Sequence, residues 1–344
     1  EDPHRGFDLL IYALAKKMNI KFYIFSELTT GYRTFIKQNI SDSLKDVNGE
    51  FKKTDTSIDV SLKYNHIHHQ FLSDRYEVKR FLLRFIKLHK LVKLFIKSDT
   101  YIYKDNKPYS SLMLIQYQFW LNRRYIRTIK YRYHLKKNIR DVKLNSGDIV
   151  FYLHYQPERT SNPLAESARE QLHCLKMLVK AFPLKKVYVK EHPSQLYSNM
   201  NGSRGRSPLI YNLIKYIHGL RLAKTSHSSI KLIKNSEFIA TITGSVAIEA
   251  SVLGKKSITF GSTWYQGCPN IYEWKELLNY KQLVDFKIKS SNEIYSFFIT
   301  HKNKHSIPGF INGSQRKFFN NYENEEFESV QNKEVYNLLV NLFN

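Results

Sequence analysis

A chain of 344 residues is longer than one ordinary hydrophobic core needs and suits two domains. Hydrophobic residues make up 42 %, which excludes global disorder, and two cysteines with no Cys-x-x-Cys pair exclude a disulfide framework and a structural zinc site. The formal charge of +24 points to polyanionic partners, namely nucleic acid, anionic lipid, phosphorylated substrate or acidic glycan, but more than half of that excess falls in residues 75–140.

No apolar run reaches the roughly 18 residues that span a bilayer. The first residue is Glu1 and the stretch from Phe7 to Phe25 already reads as folded, so the sequence is expected to begin inside a longer protein. Residues 8–18 have helical periodicity and 20–25 form a short apolar strand. Residues 41–75 are polar and read as a loop or insertion, with Asn48-Gly49 as a turn signal. Residues 76–97 predict an amphipathic helix, because Arg80, Arg84, Lys87, Lys90, Lys93 and Lys97 recur every three or four positions and share a face. A second basic helix is predicted over 112–138, carrying Arg123, Arg124, Arg127, Lys130 and Arg132.

From 148 onward the pattern alternates strictly. Strands are predicted at 149–153, 187–189, 220–223, 237–242 and 256–260, with helices at 163–181, 208–217, 228–235 and 245–253 between them. Such alternation implies an α/β domain with a parallel, doubly wound sheet. A last helix is predicted at 332–343. The expected division is an acceptor-side domain over 1–147 with its basic helical region at 76–138, a nucleotide-binding domain over 148–320, and a tail over 321–344.

Ligands of open α/β sheets lie beyond the carboxyl ends of the strands. Polar, charged and glycine residues gather there in this sequence. Thr243-Gly244-Ser245 opens a helix, whose amide groups and dipole suit a phosphate, and Gly244 permits close approach to the backbone. The competing reading is that Ser245 or Thr243 caps the helix. Glu249 lies one turn further on the same face, where a carboxylate suits ribose hydroxyls. His192 is held between a strand and Pro193 and can donate to a phosphate or, as a catalytic acid, protonate a departing one, while Lys190 supplies positive charge. Glu158, in the polar loop after the first strand and beside Gln156, is the candidate catalytic carboxylate, as base or as nucleophile. His4, Arg5 and Asp8 flank a glycine before the first helix and are candidates for a cleft or acceptor contact.

Gln156-Pro-Glu158-Arg-Thr160, Val189-Lys-Glu-His-Pro193, Thr243-Gly-Ser-Val-Ala-Ile-Glu-Ala250 and Phe260-Gly-Ser-Thr-Trp-Tyr265 together resemble the capsule-polysaccharide synthesis family, which includes retaining β-Kdo transferases of capsule and lipopolysaccharide assembly. The resemblance covers about 150–275. It implies a GT-B architecture, two Rossmann-like domains facing a cleft, here with a basic helical insertion in the N-terminal half. It also implies a nucleotide-sugar donor such as CMP-Kdo, no other cofactor, no metal, and a glycan or glycolipid acceptor. By the same resemblance His192 and Ser245 contact the donor phosphate and nucleotide, Glu249 holds the ribose, and Gln156 and Glu158 face the sugar. Those transferases commonly carry aspartate at a different spacing after the glutamine, a point of departure at Glu158. A cytoplasmic, peripheral inner-membrane protein is expected, with helix 76–97 against anionic lipid. The alternatives are a non-catalytic GT-B-like protein that binds glycan or a partner, and a nucleic-acid-binding protein using 75–140, for which no recognised motif exists.

Overall fold

The computed structural model describes residues 6–28, 33–43, 102–104, 107–109, 111–139, 144–156, 165–196, 202, 205–224, 227–276 and 282–308. The helices expected at 76–97 and 332–343 lie outside the described residues, as do His4, Arg5 and Glu158.

Helix α1 (Gly6–Lys17) has Asp8 in its first turn and Lys16 and Lys17 in its last, charges that complement the helix dipole. It precedes an antiparallel pair, β1 (Ile24–Glu27) and β2 (Arg33–Lys37). A small hairpin, β3 (Ile102–Lys104) and β4 (Lys107–Tyr109), leads to the long helix α2 (Ser111–Asn138), which matches the second predicted basic helix within one residue. Tyr131 and Leu135 of α2 are buried in the main core, which sets the helix against the sheet domain that follows.

That domain alternates as far as β9, after which β10 follows without an intervening helix: β5 (Ile149–Tyr152), α3 (Gln171–Ala181), β6 (Val187–Lys190), α4 (Ile210–Tyr216), β7 (Leu220–Leu222), α5 (Ser229–Asn235), β8 (Phe238–Thr241), α6 (Val246–Val252), β9 (Lys256–Thr259) and β10 (Ile271–Glu273). Two further helices, α7 (Gln282–Asp285) and α8 (Ser291–His305), and the short strand β11 (Ile307–Pro308) complete the described chain. Strands β5 to β10 are parallel and run in the order β7-β6-β5-β8-β9-β10, the Rossmann-like arrangement that two successive β/α halves produce. Every residue of β5, β6, β8 and β9 is buried, as strands covered by helices on both faces require. Phe151, Val189, Ala240 and Ile258 form one row on the face covered by α2, α3 and α4, and Val150, Tyr188 and Ile239 lie on the opposite face.

The structure departs from the sequence expectations in several places: β1 covers 24–27 where a strand was expected at 20–25, and β2, the β3–β4 hairpin, α7, α8 and β11 were not expected. The helix expected over 163–181 is broken: a 3-10 turn covers Glu166–Arg169, Glu170 is extended, and the α-helix begins at Gln171. The sixth strand, β10, was not expected; three residues are too few to carry a periodic signal. Strand β11 returns to pair with β2, so that the N-terminal sheet is completed by a segment from beyond the parallel-sheet domain. Helix α8 opens with a capping box, Ser290 accepting from the Glu293 amide while the Glu293 carboxylate accepts from the Ser290 amide.

Candidate functional site

Strand order reverses between β5 and β8, and the crevice beyond their carboxyl ends is where the fold offers a ligand site. Cross-strand register lines up Lys190, Tyr152, Thr241, Thr259 and Glu273 as the last row of the sheet on one face. Apolar rows thus give way to a polar row at the edge nearest the crevice.

The segment after β5 ties the edge together. His154 is buried, and its main chain is held from both sides by Gln171: the amide N–H of His154 donates to Oε1 at 2.8 Å, and Nε2 of Gln171 donates to the His154 carbonyl at 3.2 Å. This is what the helix break achieves, since it leaves Gln171 at the first position of α3, facing β5. The His154 ring reaches across to β8. Its Nε2 accepts the Thr243 amide at 3.0 Å and lies 3.2 Å from Thr241 Oγ1. An Nε2 that accepts an N–H is unprotonated, which puts the imidazole proton on Nδ1. Tyr155 sets its ring 6.0 Å from that of His192, and the Gln156 amide donates to Oε1 of the buried Gln195 at 2.9 Å. The side chain of Gln156 donates to the Arg169 carbonyl at 3.3 Å. Residues 154–156 therefore join the turn after β8 to the turn after β6.

The turn after β8 is fixed by three contacts. The Thr243 amide is held by His154. The carbonyl of Gly244 accepts from the buried Tyr265 hydroxyl at 2.7 Å. A Cβ at Gly244 would stand 2.7 Å from Thr241 Oγ1 and 3.2 Å from His154 Nε2, so the protein itself fills the space that a side chain would need. Ser245 occupies the N-cap position of α6 without a side-chain capping bond. Glu249 is half-buried one turn into α6, and burial raises its carboxyl pKa above the usual carboxylate value. Helix α6 then stops at Gly254, whose φ of +71° is the left-handed geometry of a helix C-terminus, with Lys255 N–H bonding to the Ala250 carbonyl at 2.8 Å.

The turn after β6 carries His192. The Ser194 amide donates to His192 Nδ1 at 3.2 Å, which leaves the ring proton on Nε2 as a donor. Lys190 is buried instead of solvated, and its ammonium donates to the carbonyls of Lys224 at 3.0 Å and His227 at 2.9 Å. Burial lowers its pKa to about 8, with Glu191 acting in the opposite sense.

Sequence reasoning missed the group that holds this turn in place. Glu191 is fully buried; its carboxylate accepts from Arg206 and from the Tyr211 hydroxyl, and its other oxygen accepts the His192 amide at 2.7 Å. Arg206 also donates to the His154 carbonyl at 3.3 Å. Burial works against the guanidinium charge, but Glu191 and Tyr211 together more than offset it, so the Arg206 pKa stands above its ordinary value. Burial, then Glu191, push the Tyr211 hydroxyl well above its usual range. The loop that contains Arg206 is thereby pinned to the ends of both β5 and β6. Gln195 holds it from the other end by donating to the Gly202 carbonyl, 2.6 Å away.

The structure thus brings Gln156, Lys190, His192, Thr243, Gly244, Ser245 and Glu249 to one edge of the sheet. Asp8 lies in α1. Among the described residues no group of three His, Cys, Asp or Glu is placed to hold a metal ion.

No protein-family model matches the chain, and no curated protein matches it. Solved structures similar to parts of it include the β-Kdo 2,7-transferase of Thermosulfurimonas dismutans KpsC, at 16 % identity over 55 % of this chain and 57 % of that one, with a TM-score of 0.32. The β-Kdo 2,4-transferase of the same KpsC matches at 16 % identity over 52 % of this chain and 54 % of that one, with a TM-score of 0.32. A UDP-GlcNAc 2-epimerase from Methanocaldococcus jannaschii, in complex with UDP-GlcNAc and UDP, matches at 13 % identity over 55 % of this chain and 46 % of that one, with a TM-score of 0.27. The chain spans about half the length of each.

Proposed function

We propose that this chain is a sugar-nucleotide-dependent glycosyltransferase of bacterial surface-polysaccharide synthesis, built on the GT-B plan. One observation carries the reading: residues 154–156 lock the His192 turn and the Thr243–Ser245 turn together at the point where strand order reverses. His192 offers an Nε2–H donor there, and the donor's phosphates meet it together with Ser245 and the main chain of the fixed 243–245 turn. Glu249 binds the ribose, a role that suits a half-buried carboxyl one turn from Ser245. Gln156 and Glu158 face the sugar, with Glu158 as the reacting carboxylate. The departing phosphate is stabilised by hydrogen bonds and positive side chains, without a metal. CMP-Kdo is the proposed donor and a growing glycan or glycolipid the acceptor.

Donor turnover tests this directly. Wild type is incubated with a panel of CMP- and UDP-sugars, with and without glycan acceptors, beside Glu158→Gln and His192→Ala. The reading expects turnover of one donor and a loss of roughly 10²–10⁴-fold in each variant, the usual worth of a positioned acid or base. If all three proteins are equally inert with every donor, the enzyme reading fails and a non-catalytic binding role replaces it.

A further inference from the structure

Helices α2 and α4 lie side by side on one face of the sheet. The rings of Tyr131 and Tyr211 meet edge to face at 6.2 Å, and Asn138 donates to Asn212 at 2.6 Å. Their inward residues join the main core. Their outward residues are unusual for a surface in water. Tyr133 is 61 % and Tyr216 82 % exposed, and Ile126, Ile129, Leu209 and Leu213 are each about half exposed. Around them stand exposed Arg123, Lys130, Lys137 and Lys215, with the Lys137 ammonium 6.0 Å from the centre of the Tyr133 ring. Neither residues 111–138 nor residues 205–224 contain an Asp or Glu.

We propose that this outward face of α2 and α4 is a docking surface for an anionic lipid bilayer. Aliphatic side chains interleaved with cations and tyrosines match the boundary between acyl chains and headgroups: the apolar groups enter, and Lys and Arg meet the phosphates. A second copy of the chain fits poorly, because two such faces would oppose cations with no acid between them. Nucleic acid would use the cations and the tyrosines but would leave Ile126, Ile129, Leu209 and Leu213 without a role. The surface is formed by residues other than 76–97, and the inference does not depend on the transferase reading.

The full chain is sedimented with phosphatidylcholine vesicles that contain phosphatidylglycerol, with vesicles of phosphatidylcholine alone, and is also titrated with single-stranded RNA. Wild type is expected to sediment with the anionic vesicles and much less with the neutral ones. Ile129→Glu/Leu213→Glu and Lys130→Glu/Lys137→Glu should each weaken that binding by at least about tenfold while the melting temperature stays that of wild type. Either pair checks the proposal if the other fails to fold. Three results would overturn it: no vesicle binding by wild type, full binding by both variants with loss only in Arg84→Glu/Lys87→Glu/Lys90→Glu, or tight binding of RNA with no preference for anionic vesicles.

Discussion

His154 Nε2 accepts the main-chain N–H of Thr243 at 3.0 Å, joining the segment after β5 to the turn after β8. Two strands that are neighbours in the sheet but 89 positions apart in sequence are thereby fixed at the crevice where their halves of the fold diverge. Gly244 packs directly above this bond.

Gly244→Ala should therefore cost stability through overpacking, not through backbone strain. Its Cβ would lie 2.7 Å from Thr241 Oγ1 and 3.2 Å from His154 Nε2, and neither buried group can withdraw easily. The expected loss is about 1–3 kcal/mol, read from the urea midpoint at unchanged slope.

Tyr265→Phe removes one hydroxyl and leaves the Gly244 carbonyl without its 2.7 Å donor. The carbonyl keeps the Ala247 amide at 3.1 Å, so equilibrium unfolding should report a loss of about 0.5–1.5 kcal/mol, the net worth of one hydrogen bond. A value near zero would mean that water replaces the hydroxyl.

The Glu191–Arg206 pair is buried, so its members are worth less singly than together. Arg206→Met should destabilise by about 3–5 kcal/mol because it strands the Glu191 charge. The double variant Glu191→Gln/Arg206→Met should lose clearly less than the sum of the two single losses in a double-mutant cycle.

Lys190 makes stability depend on alkaline pH with a definite sign. Its folded pKa is lowered to about 8, below the unfolded value near 10.4. Between those values the unfolded chain binds more protons, so stability rises with pH. The penalty of the buried ammonium is complete below pH 8 and is relieved as pH approaches that of the unfolded lysine. The stability of wild type relative to Lys190→Met should climb across this window by up to about 3 kcal/mol. A flat difference would contradict the burial of a charged Lys190.

The alternation over 148–260 was legible because each strand is a short apolar run bounded by turn residues, and five of the six parallel strands were located within one or two residues. The polar edge was legible too, since Lys190, His192 and Thr243–Ser245 follow strands directly. What ties the edge together was not. Gln171, Glu191, Gln195 and Arg206 look like ordinary loop or helix-end polar residues, and each acts on a group 15 to 52 positions away that only the fold brings near. His154 shares a polar segment with Gln156 and Glu158, and nothing in its sequence neighbourhood marks its ring as the link to β8. One signal was readable and unused: Ser290-x-x-Glu293 is a capping box that announces α8.

The most direct test of the central claim is thermal unfolding of the full chain in the presence of CMP, UDP and GDP, for wild type and His192→Ala. A ligand that binds the native state stabilises it by mass action, by about 2.7 kcal/mol at a hundredfold excess over Kd. The account predicts that one nucleotide, CMP by preference, raises the wild-type Tm in a concentration-dependent manner, and that His192→Ala abolishes or sharply reduces the rise. A wild-type Tm that none of the three nucleotides moves would contradict a nucleotide site at this edge of the sheet.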